Sequence, residues 1–386
     1  MRVAYVGDIL NHGYTLTTVG TSIVFLLSRL QVVDSIDIIC PVKNNQTLQD
    51  FLPRNVEITR TYVYGDLLSF FKILLYDLNK YDRIIFNILP TGAGKSTTAN
   101  FLLLLLPILV KILLDNGKVV IVYHNSTYIN DTKALGYIGL YNTLRGYILR
   151  MVETVYFRHI DTFFLLRSYK NIIDKIIPNN RVRAINAQYL EAFATVMLNE
   201  LENFDIISKS SKKLNTILLH GFWGPQKDLD GALSVLSALM DKGLNCRIIV
   251  SGGLNKHFKE YESYFTSIIY KYRDYIEIYK GYVEESEMAN LLIETDLIIL
   301  PYNTPGGHSG VLEQAKFFEV PAIAMDFLEY REQSENAKDV YLVSNMNEMA
   351  DTVLKVFGTI DDSIVRNIDI KNKLTASIQN ISRLLL

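Results

Sequence analysis

Short, wholly apolar runs alternating with longer helical patterns constrain this chain more than any other feature. "RVAYV", "SIDIIC", "RIIFNIL" and "VVIVY" recur through the first half, separated by stretches such as "TSIVFLLSRL". The second half repeats the rhythm with "TILLH", "RIIVSGG", "YIEIYKG", "LIILPY" and "VPAIAMD". Its helical stretches include "DLDGALSVLSALMDKG" and "ESEMANLLIETD". A strand that is apolar at every position must be covered on both faces, and a parallel sheet between two helical layers provides that cover. The expectation is α/β, with two doubly wound sheets.

The seam between them falls in the polar segment "NELENFDIISKSSKKLN", 199–215. It divides the chain into a first domain over 1–198, a linker over 199–213 and a second domain over 214–368. The terminal segment 369–386 reads as a helix that crosses back to the first domain. At 386 residues, two domains also agree with the size at which single cores stop growing. Open sheets of this kind bind ligands outside the carboxyl ends of their strands, so two of them are expected to face an interdomain cleft.

A formal charge of −2 provides no broad basic field, so nucleic acid is not expected as an obligate partner. The two cysteines, Cys40 and Cys246, are far apart and form no metal or disulfide pattern. With no disulfide pattern in the cysteines, a reducing cytoplasm is the expected compartment; the opening "MRVAYVGDIL" reads as a strand and not a leader. The most apolar segment, "FLLLLLPILVKILL" at 101–114, is shorter than the roughly 20 residues a bilayer span needs. It reads as a helix covering a sheet, with peripheral contact at a membrane surface as the alternative.

The segment "NILPTGAGKSTTAN" imitates a nucleotide-binding phosphate loop, because Gly94, Lys95 and Ser96 match its end. The first glycine of that motif should stand at 89, where the chain has Leu89, which cannot adopt a glycine-only conformation. The next strand ends in His124 where a magnesium-binding carboxylate would be needed. A narrower expectation survives, an anion-friendly helix start using Lys95, Ser96 or Thr97. Nucleotide binding through the 92–96 segment stays open as a rival.

Three junctions in the second half carry more chemistry. In "LLHGFWGPQKDLDGALSVL", a strand runs into a turn at Gly221, and Lys227 precedes a helix that Asp228 or Asp230 could cap. Lys227 there could hold a diphosphate as a point charge. The "DLD" triplet reads as a helix cap and not as a metal site. In "YKGYVEESEM", Tyr282 and Val283 offer backbone groups to a nucleobase edge. In "PYNTPGGHSGVLEQAKFF", glycines 306, 307 and 310 allow close backbone approach to a ligand. The amides of Ser309, Gly310 and Val311 would open a helix as an anion site, and Glu313 lies one turn inside, suited to a ribose diol.

In order and spacing, "HGFWGPQKDLDGALSVLSAL", "IIVSGG", "YKGYVEESEMANLLIETDLIILPY" and "GGHSGVLEQAKFFEVPAIA" resemble the retaining glycosyltransferases of family 4, which have the GT-B fold. That resemblance implies two Rossmann-like domains and transfer of a hexose from a UDP- or GDP-linked sugar such as UDP-glucose, without a metal or further cofactor. Glu313 matches the second of the family's two glutamates, while the first falls at Pro305. Lys227 matches the diphosphate-binding lysine, and its usual arginine partner is replaced within "GFWG". Gly13 falls in the family's first glycine loop, His308 in its glycine-rich stretch, and His124 at the strand end beside the donor sugar. The implied site is His124 and Lys227 for catalysis, with Gly13, Gly221, Tyr282, Val283, Gly307, His308, Ser309, Gly310, Val311 and Glu313 around the donor. The acceptor, whether glycan, lipid or protein, is not readable. The departures at Pro305 and "GFWG" keep a GT-B scaffold that binds without catalysis open as a second rival.

Overall fold

The computed structural model describes residues 1–7, 15–41, 52–62, 73, 77–88, 97–114, 117–124, 126–129, 140–185, 189–190, 192–198, 206–209, 215–254, 260–281, 283, 285–304, 307–359 and 366–386. They form two units, Met1–Leu190 with Thr375–Leu386, and Glu191–Leu374.

The first unit contains β1 (Arg2–Val6), α1 (Thr15–Ser28), β2 (Ser35–Pro41), β3 (Val56–Tyr62), β4 (Arg83–Ile88), α2 (Thr97–Leu114), β5 (Val119–Tyr123), α3 (Leu140–His159), β6 (Asp161–Phe164), α4 (Arg167–Ile176) and β7 (Val182–Ala184). Its strands make one parallel sheet in the order β3-β2-β1-β4-β5-β6-β7. Strand order reverses between β1 and β4, whose registers pair Val3 with Arg83 and Val6 with Phe86. Ile84, Phe86, Ile121 and Tyr123 point into one core with Leu104 and Val110 of α2 and Tyr156 and Phe157 of α3. β5 is apolar throughout because it is buried throughout, and β4 is buried from Ile84 to Ile88 with Asn87 as its one polar residue there. The chain's final carbonyls also belong here, since the Arg83 guanidinium donates to Leu385 O at 3.1 Å and Leu386 O at 3.2 Å.

The second unit continues with α5 (Ala192–Leu198), β8 (Ile206–Lys209), β9 (Asn215–His220), α6 (Leu229–Asp241), β10 (Cys246–Gly252), α7 (Tyr261–Lys271), β11 (Ile276–Lys280), α8 (Glu285–Glu294), β12 (Leu297–Leu300), α9 (Gly310–Phe317), β13 (Ala322–Met325), α10 (Leu328–Gln333), β14 (Val340–Val343), α11 (Met346–Thr359), β15 (Arg366–Asp369) and α12 (Ile370–Ile381). The last of these runs on into the first unit, which takes the chain from Thr375 onward. Six strands form a second parallel sheet in the order β11-β10-β9-β12-β13-β14. Here the order reverses between β9 and β12.

Two features differ from the reading of the polar seam as a bare linker. Residues 206–209 form a strand, paired antiparallel with β15 from Ile206 opposite Asp369 to Lys209 opposite Arg366. The pairing partner lies more than 150 residues away, so no local pattern signals it. Ahead of the seam, α5 packs on α8 and α9, with the Phe193 and Phe317 rings edge-to-face at 5.5 Å. That burial draws the chain from Glu191 onward into the second unit.

No described helix is long and apolar enough to cross a membrane.

Candidate functional site

The switch point of the second sheet collects most of the residues singled out in sequence. Strand β9 ends at His220, and the chain turns at Gly221 with φ +120°, a conformation L side chains rarely adopt. Gly252 at the end of the neighbouring β10 has φ +100°, and a Cβ there would lie 2.2 Å from Gly221 O. The ends of β9 and β10 therefore approach as closely as two backbones can. Trp223 is fully buried beyond the turn, its Nε1 donating to Ser251 O at 3.0 Å and its backbone N–H to Gly253 O at 2.9 Å.

The β9–α6 loop is stitched to the loop leaving β12. Asp228 N–H donates to Pro301 O at 2.7 Å, Asn303 N–H to Gln226 O at 3.0 Å, and Asn303 Nδ2 to Pro225 O at 3.0 Å. Asp228 then caps α6, its carboxylate accepting from Gly231 N–H at 2.9 Å, while Asp230 pairs with Lys271 at 2.8 Å. The "DLD" triplet is thus a cap and an ion pair. Among the described residues no group of His, Cys, Asp and Glu side chains could hold a metal ion.

Lys227 is 4% exposed, and its Nζ donates to His220 O at 3.1 Å. The ammonium also lies 4.9 Å from the centre of the Trp223 ring and 4.8 Å from that of Tyr302. No carboxylate among the described residues pairs with it. Burial therefore pushes its pKa from 10.5 down to about 7. Beside it, burial and then the Lys227 charge drive His220 down to about 3, so that imidazole is neutral, with Nδ1 2.7 Å from Ser251 Oγ. A Cβ at Gly221 would meet Lys227 Nζ at 2.5 Å and Val311 Cγ2 at 3.6 Å, so the turn, the lysine and the first turn of α9 converge. Only a glycine leaves that space clear.

The start of α9 is built from polar bonds. Ser309 is its cap, with Oγ accepting from Leu312 N–H at 3.3 Å, and Glu313 N–H donates to Ser309 O at 3.2 Å. Of the three amides expected to greet an anion, that of Ser309 is occupied, donating to Gln333 Oε1 at 2.9 Å. Those of Gly310 and Val311 bond to no described residue. Glu313 is 2% exposed, and its Oε1 accepts from Gln333 Nε2 at 3.0 Å and from Lys316 Nζ at 3.1 Å, with His308 Nε2 at 3.8 Å. The carboxylate is held in place before any ligand arrives.

His124 follows β5 in the first unit. Its Nε2 lies 2.6 Å from Asn87 Oδ1 on β4, and its backbone N–H donates to Ile88 O at 3.3 Å. Behind it, Glu153 of α3 is fully buried and accepts from Tyr123 OH at 2.9 Å, Ser126 Oγ at 3.1 Å, Thr127 N–H at 3.0 Å and Thr127 Oγ1 at 2.6 Å. Burial raises its pKa, and the Thr127, Tyr123 and Ser126 donors oppose that rise. The chain on both sides of His124 is fixed by these contacts.

Gly13, Lys95, Ser96 and Tyr282 lie outside the described residues, as does Pro305. Thr97 is the first residue of α2, and nothing is described of its side chain. Val283 is buried at 3% exposure, and Gly307 has φ +92°.

Sequence reasoning missed Asn87, Glu153, Trp223, Tyr302 and Gln333. Each acts across elements distant in the chain, and an isolated Gln or Trp offers no spacing to read. The one available signal was that Trp223 is the chain's single tryptophan, set in a glycine turn.

No protein-family model matches the chain, and no curated protein matches it either. Solved structures do. HepE from Anabaena in complex with UDP and glucose superimposes with a TM-score of 0.65 at 11% identity, covering 100% of this chain and 97% of that one. Sucrose-phosphate synthase from Thermosynechococcus elongatus gives a TM-score of 0.61 at 12% identity, over 100% and 95%. A glycosyltransferase from Rickettsia africae gives 0.58 at 13% identity, over 100% and 94%. At such identities the likeness is one of fold: the chain has the GT-B fold, built from two Rossmann-like domains.

Proposed function

We propose that the protein is a nucleotide-sugar-dependent glycosyltransferase, moving a hexose from a UDP- or GDP-linked donor with retention at the anomeric carbon. The observation that carries this reading is Lys227, a buried cation at the sheet's switch point with no carboxylate partner among the described residues. A charge so placed is unfavourable until an anion joins it, and a diphosphate is the anion the surrounding backbone suits. The amides of Gly310 and Val311, at the positive end of α9, add donors beside it. Together they would stabilise the charge that gathers on a departing nucleoside diphosphate, the main electrostatic task of the reaction, with no metal needed.

In this reading Glu313 binds the ribose, with Gln333 and Lys316 holding it in position. Val283 and Tyr282 face the base, and Gly221 leaves room for the diphosphate. His124 orients the transferred sugar or the acceptor. Retention follows from leaving-group departure and attack on the same face, so no enzymic nucleophile is assigned. Further support comes from the fold shared with HepE, which has been crystallised with UDP-glucose at a TM-score of 0.65. The phosphate-loop rival is not favoured, because likenesses covering the whole chain run to proteins such as HepE and a glycosyltransferase from Rickettsia africae.

Titration calorimetry against UDP, GDP, ADP and their glucose and mannose derivatives tests the proposal. Binding of one nucleotide, lost in Lys227→Ala and Glu313→Ala, with slow hydrolysis or transfer of its sugar, supports it. Binding without any turnover across acceptors would select the scaffold rival instead. A protein that binds none of the panel is not a transferase of this kind.

A further inference from the structure

Helix α3 is apolar on two opposite faces, and among the described residues the core of the first unit uses one of them. Leu149, Val152, Tyr156 and Phe157 are buried in the first unit, with Glu153 among them. On the other side Leu144, Tyr147, Ile148, Met151 and Val155 recur at helical spacing and are exposed, Met151 to 71% and Tyr147 to 63%. Helix α2, which packs against α3, also leaves apolar residues exposed near its carboxyl end, Ile112 to 69% and Leu113 to 65%. Lys111 Nζ donates to the His159 carbonyl, placing the carboxyl ends of the two helices side by side. Scattered apolar residues are ordinary on a surface, but five at helical spacing along one face of a helix mark a contact site.

The charges on the same helices indicate what the contact is with. Segment 97–114 contains no Asp or Glu, and segment 140–159 contains one, Glu153, which is buried beneath Tyr123, Ser126 and Thr127. The exposed charges among the described residues of the two helices are basic, Arg158 and Arg150, whose Nη2 also donates to Thr127 O at 3.1 Å, with the half-buried Lys111 near the end of α2. This is a local positive bias on a chain whose formal charge is −2. Apolar side chains framed by cations, with no exposed carboxylate among the described residues of either helix, match the boundary between acyl chains and anionic headgroups. We infer that α2 and α3 form a docking surface for the face of an anionic lipid bilayer, with the stripe immersed and Arg150 and Arg158 at headgroup level. The inference is independent of the donor site, which lies in the second unit. It shifts the contact first suspected for 101–114 mainly onto α3.

Sedimentation of the full chain with phosphatidylcholine vesicles, with and without phosphatidylglycerol, provides the test. The protein is expected to pellet with the anionic vesicles, less so in high salt, and to stay in solution with phosphatidylcholine alone. Met151→Glu should weaken partitioning about tenfold, the effect of losing one well-buried apolar side chain. Circular dichroism melting should show the variant as stable as the parent, since Met151 makes no core contact. Arg158→Glu should reduce binding to the anionic vesicles and weaken its salt dependence, and unchanged binding and salt dependence would contradict the headgroup role of Arg158. A parent protein that remains in the supernatant at low salt overturns the inference, as does a Met151→Glu protein that pellets unchanged. Light scattering that shows a dimer split by Met151→Glu, with no vesicle binding, would assign the stripe to a second copy and equally overturn it.

Discussion

The side chain of Gln333 grips the backbone of Ser309 from both sides, accepting its N–H at 2.9 Å and donating to its carbonyl at 3.1 Å. The same Nε2 reaches Glu313 Oε1 at 3.0 Å, so one amide fixes both the cap of α9 and the carboxylate a turn further on. Gln333→Ala removes the described acceptor of the Ser309 N–H, while Ser309 O keeps Glu313 N–H and Glu313 Oε1 keeps Lys316 Nζ. The expected loss is about 1–3 kcal/mol in urea unfolding, the cost of one buried group left unsatisfied. Donor KM should rise more than kcat falls, because the reacting atoms are untouched.

Lys227 is predicted to trade stability for binding. In Lys227→Met the stem is kept and the unpaired buried charge is removed, so the melting temperature at pH 6–7 should rise, by on the order of 1–3 kcal/mol of stability. Nucleoside diphosphate affinity should fall about 10- to 100-fold, as expected for a charge-assisted contact. Parallel melting and calorimetry on the two proteins would check this. A variant that is both less stable and unaltered in binding would contradict the role given to the lysine.

The depressed pKa of Lys227 gives two opposite pH dependences. Its ordinary 10.5 falls to about 7 in the fold. Between these values the unfolded chain binds more protons, so the burial penalty is fully present below about 7 and fades as pH rises toward 10.5. Stability should therefore increase over that window. Diphosphate binding needs the charged form, so affinity should decline above about 7, by up to about tenfold per pH unit. Calorimetry with UDP at pH 7, 8 and 9 should show the decline in the parent and a flat profile in Lys227→Met.

Glu153 secures the chain beyond His124. Removing its carboxylate in Glu153→Ala leaves the Tyr123, Ser126 and Thr127 donors buried and opens a cavity. A loss of about 3 kcal/mol or more is expected in denaturant unfolding. Amide exchange should quicken across 123–129 before it does elsewhere in the unit. Equal protection in the two proteins would show that the network does not hold this segment.

Much of the architecture was legible from local pattern alone. The largely apolar runs that became β1, β4, β5, β9, β10 and β12 satisfy burial best in covered parallel sheets, so their composition determined the fold class. Gly221, Asp228 and Ser309 were readable for the same reason. A turn with positive φ and the caps of α6 and α9 are set by neighbours within three residues. The alternation likewise located the strand ends where a ligand site in such a sheet must lie.

Tertiary structure decided what those residues meet. Nothing near Lys227 in sequence announces that Trp223 and Tyr302 enclose its ammonium, or that no described carboxylate shares the space. Glu313 reads as a lone helical carboxylate, yet Gln333, twenty residues on, holds it in place. The polar seam hides β8 because its partner β15 comes from the far end of the chain. Which apolar face of α3 is buried and which is exposed is set by what the helix packs against in the folded unit. Local sequence sets propensity and periodicity. The partners of a buried charge, and the face a helix leaves to solvent, depend on distant segments that only the folded chain brings together.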